Sequence, residues 1–304
     1  MPPTELTERD NLLYRFLIVQ DTLLYLNRVT YKKDLVLERN VYAEGLVMKA
    51  SLQLLTIRNV FEGGEWFSAL SNRPYNYIID PLSVASVLRG AYECMLTLHH
   101  VFVDPLSQDE VELRYLLWVL ETFISKNQAE PTEFEEGKLA RDQNRKNIDE
   151  TVNYLMELSI VQSLDSQSQT TIKGKSDPRT GDGWQYYVEG IKLKRVEGGW
   201  HGLANRMPAR EKVFTNLYKL FSLNSHPTWH SINVVVNGFE GDDPENFRMM
   251  DTMLTMSAMI GIFILYDYCT LFKDVRKAFH QLPPHIQEVV NNLIVTFKGD
   301  GFML

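Results

Sequence analysis

Two segments bring residues capable of acid–base or anion chemistry to helical spacing. In LSVASVLRGAYECMLTL, Arg89 and Glu93 stand four apart, which puts both side chains on one helix face within ion-pairing reach. In NLYKLFSLNSHPTWHS, Tyr218, Ser222 and Ser225 follow at i, i+4 and i+7, and His226 arrives at the helix end just before Pro227. In a polar pocket Glu93 could act as base or ligand, Arg89 could anchor an anion, and an imidazole could exchange protons. Each group also has a purely structural use. Arg89 and Glu93 can satisfy each other as a partly buried ion pair, and a histidine at a helix C-terminus can cap free carbonyls. A weaker third candidate is the mixture of Lys192, Lys194 and Arg195 with Trp184, Tyr186, Tyr187 and Trp200. Such a mixture can stack bases and hold phosphates, or simply anchor its segment to the bundle.

Other chemistry finds little support. The sequence contains no phosphate-binding Gly-x-x-x-x-Gly-Lys loop, no Gly-x-Gly-x-x-Gly fingerprint and no Gly-x-Ser-x-Gly elbow, so nucleotide-driven and hydrolase readings lose ground. His226 and His230 have metal-ligand spacing but Pro227 interrupts the helix they would need, adjacent His99 and His100 point differently, and no Glu-x-x-His pair exists for a diiron site. Neither a metal nor another cofactor is expected. Cys94, beside Glu93 on a mostly apolar helix, reads as an inert core thiol. No particular reaction is legible.

The elements that must position these groups are nearly all helical, since apolar residues recur at three and four along most of the chain. Leu13, Phe16, Leu17, Leu23 and Leu24 mark a first helix, and a long second one is expected from about 34 to 61, ended by Gly63 and Gly64. Asp80 and Pro81 supply an N-cap and a proline at the first helical position, predicting a helix to about Val103. On it Val84, Val87, Leu88, Ala91, Met95, Leu98 and Phe102 form a core stripe while Leu82, Ala85, Tyr92 and Leu96 clothe the other side, so it should lie centrally. At 100° per residue Arg89, Glu93 and His100 would share one polar seam. Ser107 with Glu110 gives a capping-box pattern before Val111 to Ile124, and a further helix is expected from about 133 to 164. Residues 165–205 read as a flexible, basic, partly irregular insertion, with a small hairpin around Glu189 and Gly190. Helical pattern returns at Ala209 to Ser225, stops at Pro227, and resumes at about 244–273 and 284–297. The expected fold is all-α: one bundle of long antiparallel helices over residues 1–304.

At this point the chain resembles a group of uncharacterised, all-helical bacterial proteins loosely related to the HEPN superfamily. The resemblance rests on Arg-x-x-x-Glu, here Arg89 and Glu93, and on Trp, Leu-Ala, Tyr-x-x-x-Ser-x-x-x-His-Pro, here Trp200, Leu203, Ala204, Tyr218, Ser222, His226 and Pro227. It covers roughly residues 80 to 230 and implies a bundle in which Arg89 and Glu93 approach Ser222 and His226. HEPN ribonucleases place four to six residues between an arginine and the catalytic histidine, but Lys219, Leu220 and Phe221 occupy the arginine's possible positions here. The literal match, Arg195 to His201, falls in RVEGGWH, a glycine-bearing loop. The resemblance implies a setting in phage defence, and as a second reading a metal-independent ribonuclease acting on RNA.

Composition sets the outer bounds. With 44% hydrophobic and 23% charged residues in 304, the chain can bury a sizeable core. Two cysteines 175 positions apart make no disulfide framework, which suits a reducing cytoplasm. The opening MPPTELTERD carries acids where a signal peptide carries a basic region. The apolar run Met253 to Tyr266, at 14 residues, is shorter than the about 20 a membrane helix needs. Net charge is −8, against a coat for nonspecific nucleic-acid binding. From Lys173 to Lys212, however, nine basic residues meet five acidic ones, a local balance of +4. The expected molecule is therefore a cytoplasmic binding or scaffolding module, with an unknown protein, RNA or a second copy as partner, and no membrane.

Overall fold

A computed structural model describes residues 7–31, 38–62, 81–177, 183–209, 214, 216–238 and 244–304. The chain forms an all-α bundle whose β structure, among the described residues, is one two-stranded hairpin. It divides into two compact units, Met1–Leu98 with Ala204–Leu304, and His99–Leu203.

In the first unit, α1 (Glu8–Thr30) starts from a capping box, Thr7 accepting from the Asp10 N–H while the Asp10 carboxylate accepts from the Thr7 N–H. α2 (Glu38–Glu62) follows, and α3 (Pro81–Leu98) begins with its proline at the first position. Asp34, Gly63, Gly64 and Asp80 lie outside the described residues. α3 passes directly into a π-helical turn, His99–Val103, with the Asp104 N–H donating to the His99 carbonyl. That turn opens the second unit, which continues through α4 (Gln108–Ala129), α5 (Glu135–Glu157), α6 (Ser159–Gln162), α7 (Ser166–Gly174), β1 (Tyr186–Glu189) and β2 (Lys192–Arg195). α8 (Trp200–Arg206) carries the boundary, and α9 (Leu217–Ser225), α10 (Trp229–Gly238), α11 (Pro244–Leu271), α12 (Lys273–His280) and α13 (Pro284–Lys298) complete the first unit.

Several elements differ from the sequence expectation for identifiable reasons. The helix expected to reach residue 164 breaks at Leu158, whose extended backbone separates α5 from α6 while the Ser159 hydroxyl donates to the Asp109 carboxylate at 2.8 Å. Within 165–205, α7 is nucleated by Asp165 as N-cap, accepting from the Ser168 N–H at 2.8 Å. The hairpin stands where Glu189 and Gly190 indicated it. Glu189 pairs with Lys192 across a two-residue turn in which Gly190 takes φ +63°, a left-handed conformation that favours glycine. Of the segment Ala209 to Ser225, only Leu217 onward is described as helix, and Val213 lies outside the described residues. α10 has no counterpart in the expectation. Thr228 supplies its cap, the hydroxyl accepting from the Ser231 N–H at 3.1 Å.

In the first unit α11 runs against α1, α2 and α3, burying Phe16, Val19, Leu23, Leu54, Leu88, Ile260, Phe263 and Ile264. Arg248–Leu271 is one segment long and apolar enough to cross a membrane, and 67% of its most apolar window is buried inside the fold. Closeness here depends on Gly261, where a β-carbon would come within 2.6 Å of Val19 and 3.3 Å of Leu54. Overpacked cores lose about 1–3 kcal/mol, so Gly261→Val is expected to lower stability by that amount in urea unfolding, and an unchanged midpoint would contradict this packing.

Candidate functional site

α3 is buried on most sides, which leaves its few polar groups to find partners on neighbouring helices. Tyr92 organises its contact with α9. The buried ring meets Phe221 edge-on at 5.7 Å and tilts against Phe214 at 6.0 Å, and its hydroxyl donates to the Phe214 carbonyl at 3.2 Å. Burial pushes that phenol above its ordinary value. Phe214 in turn stands edge-on to Phe263 of α11 at 4.8 Å. This aromatic stack fixes how α3 and α9 face each other.

One turn away, Arg89 joins the two helices. Its Nε donates to Glu93 Oε1 at 3.1 Å, its Nη2 donates to the Tyr218 hydroxyl at 2.6 Å, and its guanidinium carbon lies 4.8 Å from the centre of the Tyr218 ring. The pair is half-buried, with side-chain exposures of 26% for Arg89 and 31% for Glu93. Ser222, also half-buried, lies one helical turn beyond Tyr218, and Ser225 turns its hydroxyl back to the Phe221 carbonyl at 2.6 Å. His226 is exposed and ends α9. Its N–H donates to the Ser222 carbonyl at 3.2 Å and its carbonyl accepts from Ser231 Oγ at 2.6 Å. The structure therefore brings Arg89, Glu93 and Tyr218 into one cluster, with Ser222 next along α9 and His226 at its outer end. Cys94 is buried and its thiol is pushed up to about 11, chiefly by burial, which removes it as a nucleophile.

His100 leaves the expected seam. A π turn holds more residues per turn than the 100° projection assumes, and the imidazole belongs to a cluster in the second unit. There buried Arg114 donates to the His100 carbonyl at 2.8 Å and to Asp104 at 2.6 Å, with His100 Nδ1 at 3.2 Å from the same nitrogen. Its other nitrogens donate to Glu110 Oε1 at 2.6 and 3.1 Å. Glu110 also accepts from the backbone N–H groups of Leu106 and Val188, tying α4 to the strand β1. The sequence signal existed: Glu110 and Arg114 are i and i+4 in the favourable acid-first order, but Glu110 reads there only as a helix-cap partner.

The basic segment is largely engaged within its own unit. Trp184 is buried between His100, at 5.6 Å, and Trp200, at 6.0 Å. Lys175 donates to the Gly183 carbonyl and lies over the Tyr186 ring. The Asp165 carboxyl is held below its usual value first by Ser168, through hydroxyl and N–H, and further by Lys192 and Lys194. Lys192 and Arg195 are exposed, Lys194 and Trp200 half-buried, and His201 is exposed at the start of α8. Among the described residues no group of three or more His, Cys, Asp or Glu is placed to hold a metal.

One further buried charge escaped the sequence reading. Lys298, at the end of α13, sets its ammonium 4.3 Å from the ring centre of Phe263, 4.4 Å from Tyr266 and 5.0 Å from Phe302. Burial pulls its pKa below the ordinary 10.5, against the opposing pull of Asp267. Only the assembled helices show this cage, because its residues are dispersed over 40 positions of sequence.

Compared with family models, curated proteins and solved structures, the chain matches none.

Two stability measurements check these environments. Breaking a buried pair costs about 3–5 kcal/mol, whereas a pair as exposed as Arg89–Glu93 is worth about 1 kcal/mol. Glu110→Ala should therefore destabilise by about 3 kcal/mol or more and Glu93→Ala by about 1 kcal/mol in denaturant unfolding; equal losses would be the wrong result. For Lys298 the unfolded chain holds its proton up to 10.5 while the folded chain releases it earlier, so the unfolded state binds more protons in that window and stability rises with pH. Wild type should thus gain on Lys298→Met as pH climbs toward 10.5, and a parallel pair of pH–stability curves would refute the depressed value.

Proposed function

We propose that the chain is a binding or scaffolding module, in which Arg89, Glu93 and Tyr218 hold α3 to α9 and the outer surface meets a protein partner. The observation that carries this reading is the occupation of Arg89: its guanidinium donates to Glu93 and Tyr218 and rests against the Tyr218 ring. An HEPN-like ribonuclease would need that arginine and His226 at a single phosphate, one stabilising charge and the other moving the proton. Eight residues of helix, about 12 Å of rise, separate Tyr218 from His226. The basic segment supports the same reading, since Trp184 packs against Trp200 and His100, and Lys175 donates to the Gly183 carbonyl and lies over the Tyr186 ring. On the resemblance to HEPN-related proteins, the partner would belong to a phage-defence system.

The experiment is incubation of the purified chain with mixed RNA beside His226→Ala. The expected outcome is intact RNA in both samples; a product that appears with wild type and disappears with His226→Ala would overturn the binding reading in favour of the ribonuclease.

A further inference from the structure

α10 is an exposed apolar helix. Trp229 is 82% exposed, Ile232 52% and Val236 61%, and their spacing of i, i+3 and i+7 puts all three on one face. Among the described residues the helix packs on α9. It has ten residues, four of them β-branched, and a helix that short and that composed does not hold itself in water. Its orientation is nonetheless locked at the base. Around Pro227, the Thr228 hydroxyl donates to the Leu223 carbonyl at 3.0 Å and Ser231 Oγ donates to the His226 carbonyl at 2.6 Å. The corner therefore holds an apolar face outward in a defined direction.

From Leu220 to Phe239 the chain runs for 20 residues without Lys, Arg, Asp or Glu, the longest such run in the sequence. That neutrality selects the occupant. RNA and anionic membranes are both recognised through basic side chains, which this run lacks, and a net charge of −8 opposes both. A second copy of the same chain needs no charge complement: two molecules of like charge can approach most closely where each is neutral, and an apolar face is its own complement about a two-fold axis. We infer that the Trp229, Ile232 and Val236 face of α10 pairs with the same face of a second copy. The inference rests on the reading of the chain as a binding module and names one partner for it. The three side chains expose on the order of 400 Å² in one copy, so the pair covers about 800 Å² from these residues alone, the range of small, reversible interfaces. Trp229 is the anchor, as the large aromatic at such faces carries most of the energy.

Sedimentation velocity on the full chain between about 1 and 100 μM tests this. Wild type should pass from monomer to dimer with concentration. Trp229→Glu puts a charge into the centre of the apolar face of each copy and should raise the dissociation constant about 30-fold or more, with an unchanged circular dichroism spectrum because Trp229 is solvent-facing in the single copy. Ile232→Asp provides a second variant should the first fold poorly. A wild type that stays monomeric throughout, whether or not another protein or vesicles engage Trp229, overturns the inference, as does a correctly folded Trp229→Glu chain that dimerises like wild type. Neither result touches the RNA experiment, so the two readings fail separately.

Discussion

A charge withdrawn from water must be met inside the protein, and that constraint organises each unit around its few interior ions. On α3 the half-buried Arg89 is received by Glu93 and Tyr218. In the second unit Arg114 is satisfied by two carboxylates and a backbone carbonyl, and in the first Lys298 is surrounded by three aromatic faces. These solutions differ in depth. Arg89 retains contact with solvent and forms a clasp between two helices, whereas Arg114 is sealed and ties the π turn and Asp104 to Glu110 of α4, which in turn holds β1.

The aromatic stack of Tyr92, Phe214, Phe221 and Phe263 is the apolar counterpart of the clasp. It sets the facing of α3 and α9 before any polar bond is considered, and Arg89 then meets Tyr218 because both lie one turn from that stack. With Arg89 engaged by Glu93 and Tyr218 and His226 at the solvent end of α9, the cluster joins two helices, and the proposed binding role looks instead to the neutral face of α10.

The helical fold was legible because its determinants are local. Pro81, and Ser107 with Glu110, are start signals contained within four residues, and the apolar period of 3.6 marks the faces that α1, α2, α3 and α11 bury. The Arg89–Glu93 pair was legible for the same reason, being one helical turn long. α10 was missed because Pro227 reads as a stop while the cap that restarts the helix, Thr228 with Ser231, carries no acidic residue. The break at Leu158 has no Gly or Pro to announce it, and the π turn at His99–Val103 shifts the face of every residue beyond it.

What the amino-acid order determined alone is therefore most of the long helices, their apolar faces and the pairs within one turn, since each depends on residues a few positions apart. Only the folded molecule decided who meets across helices: Tyr218 rather than His226 at Arg89, His100 at Arg114, and three dispersed aromatics at Lys298. A charged side chain takes the partner that burial leaves within a few ångströms, and that distance is set by the packing of apolar surfaces from distant parts of the chain.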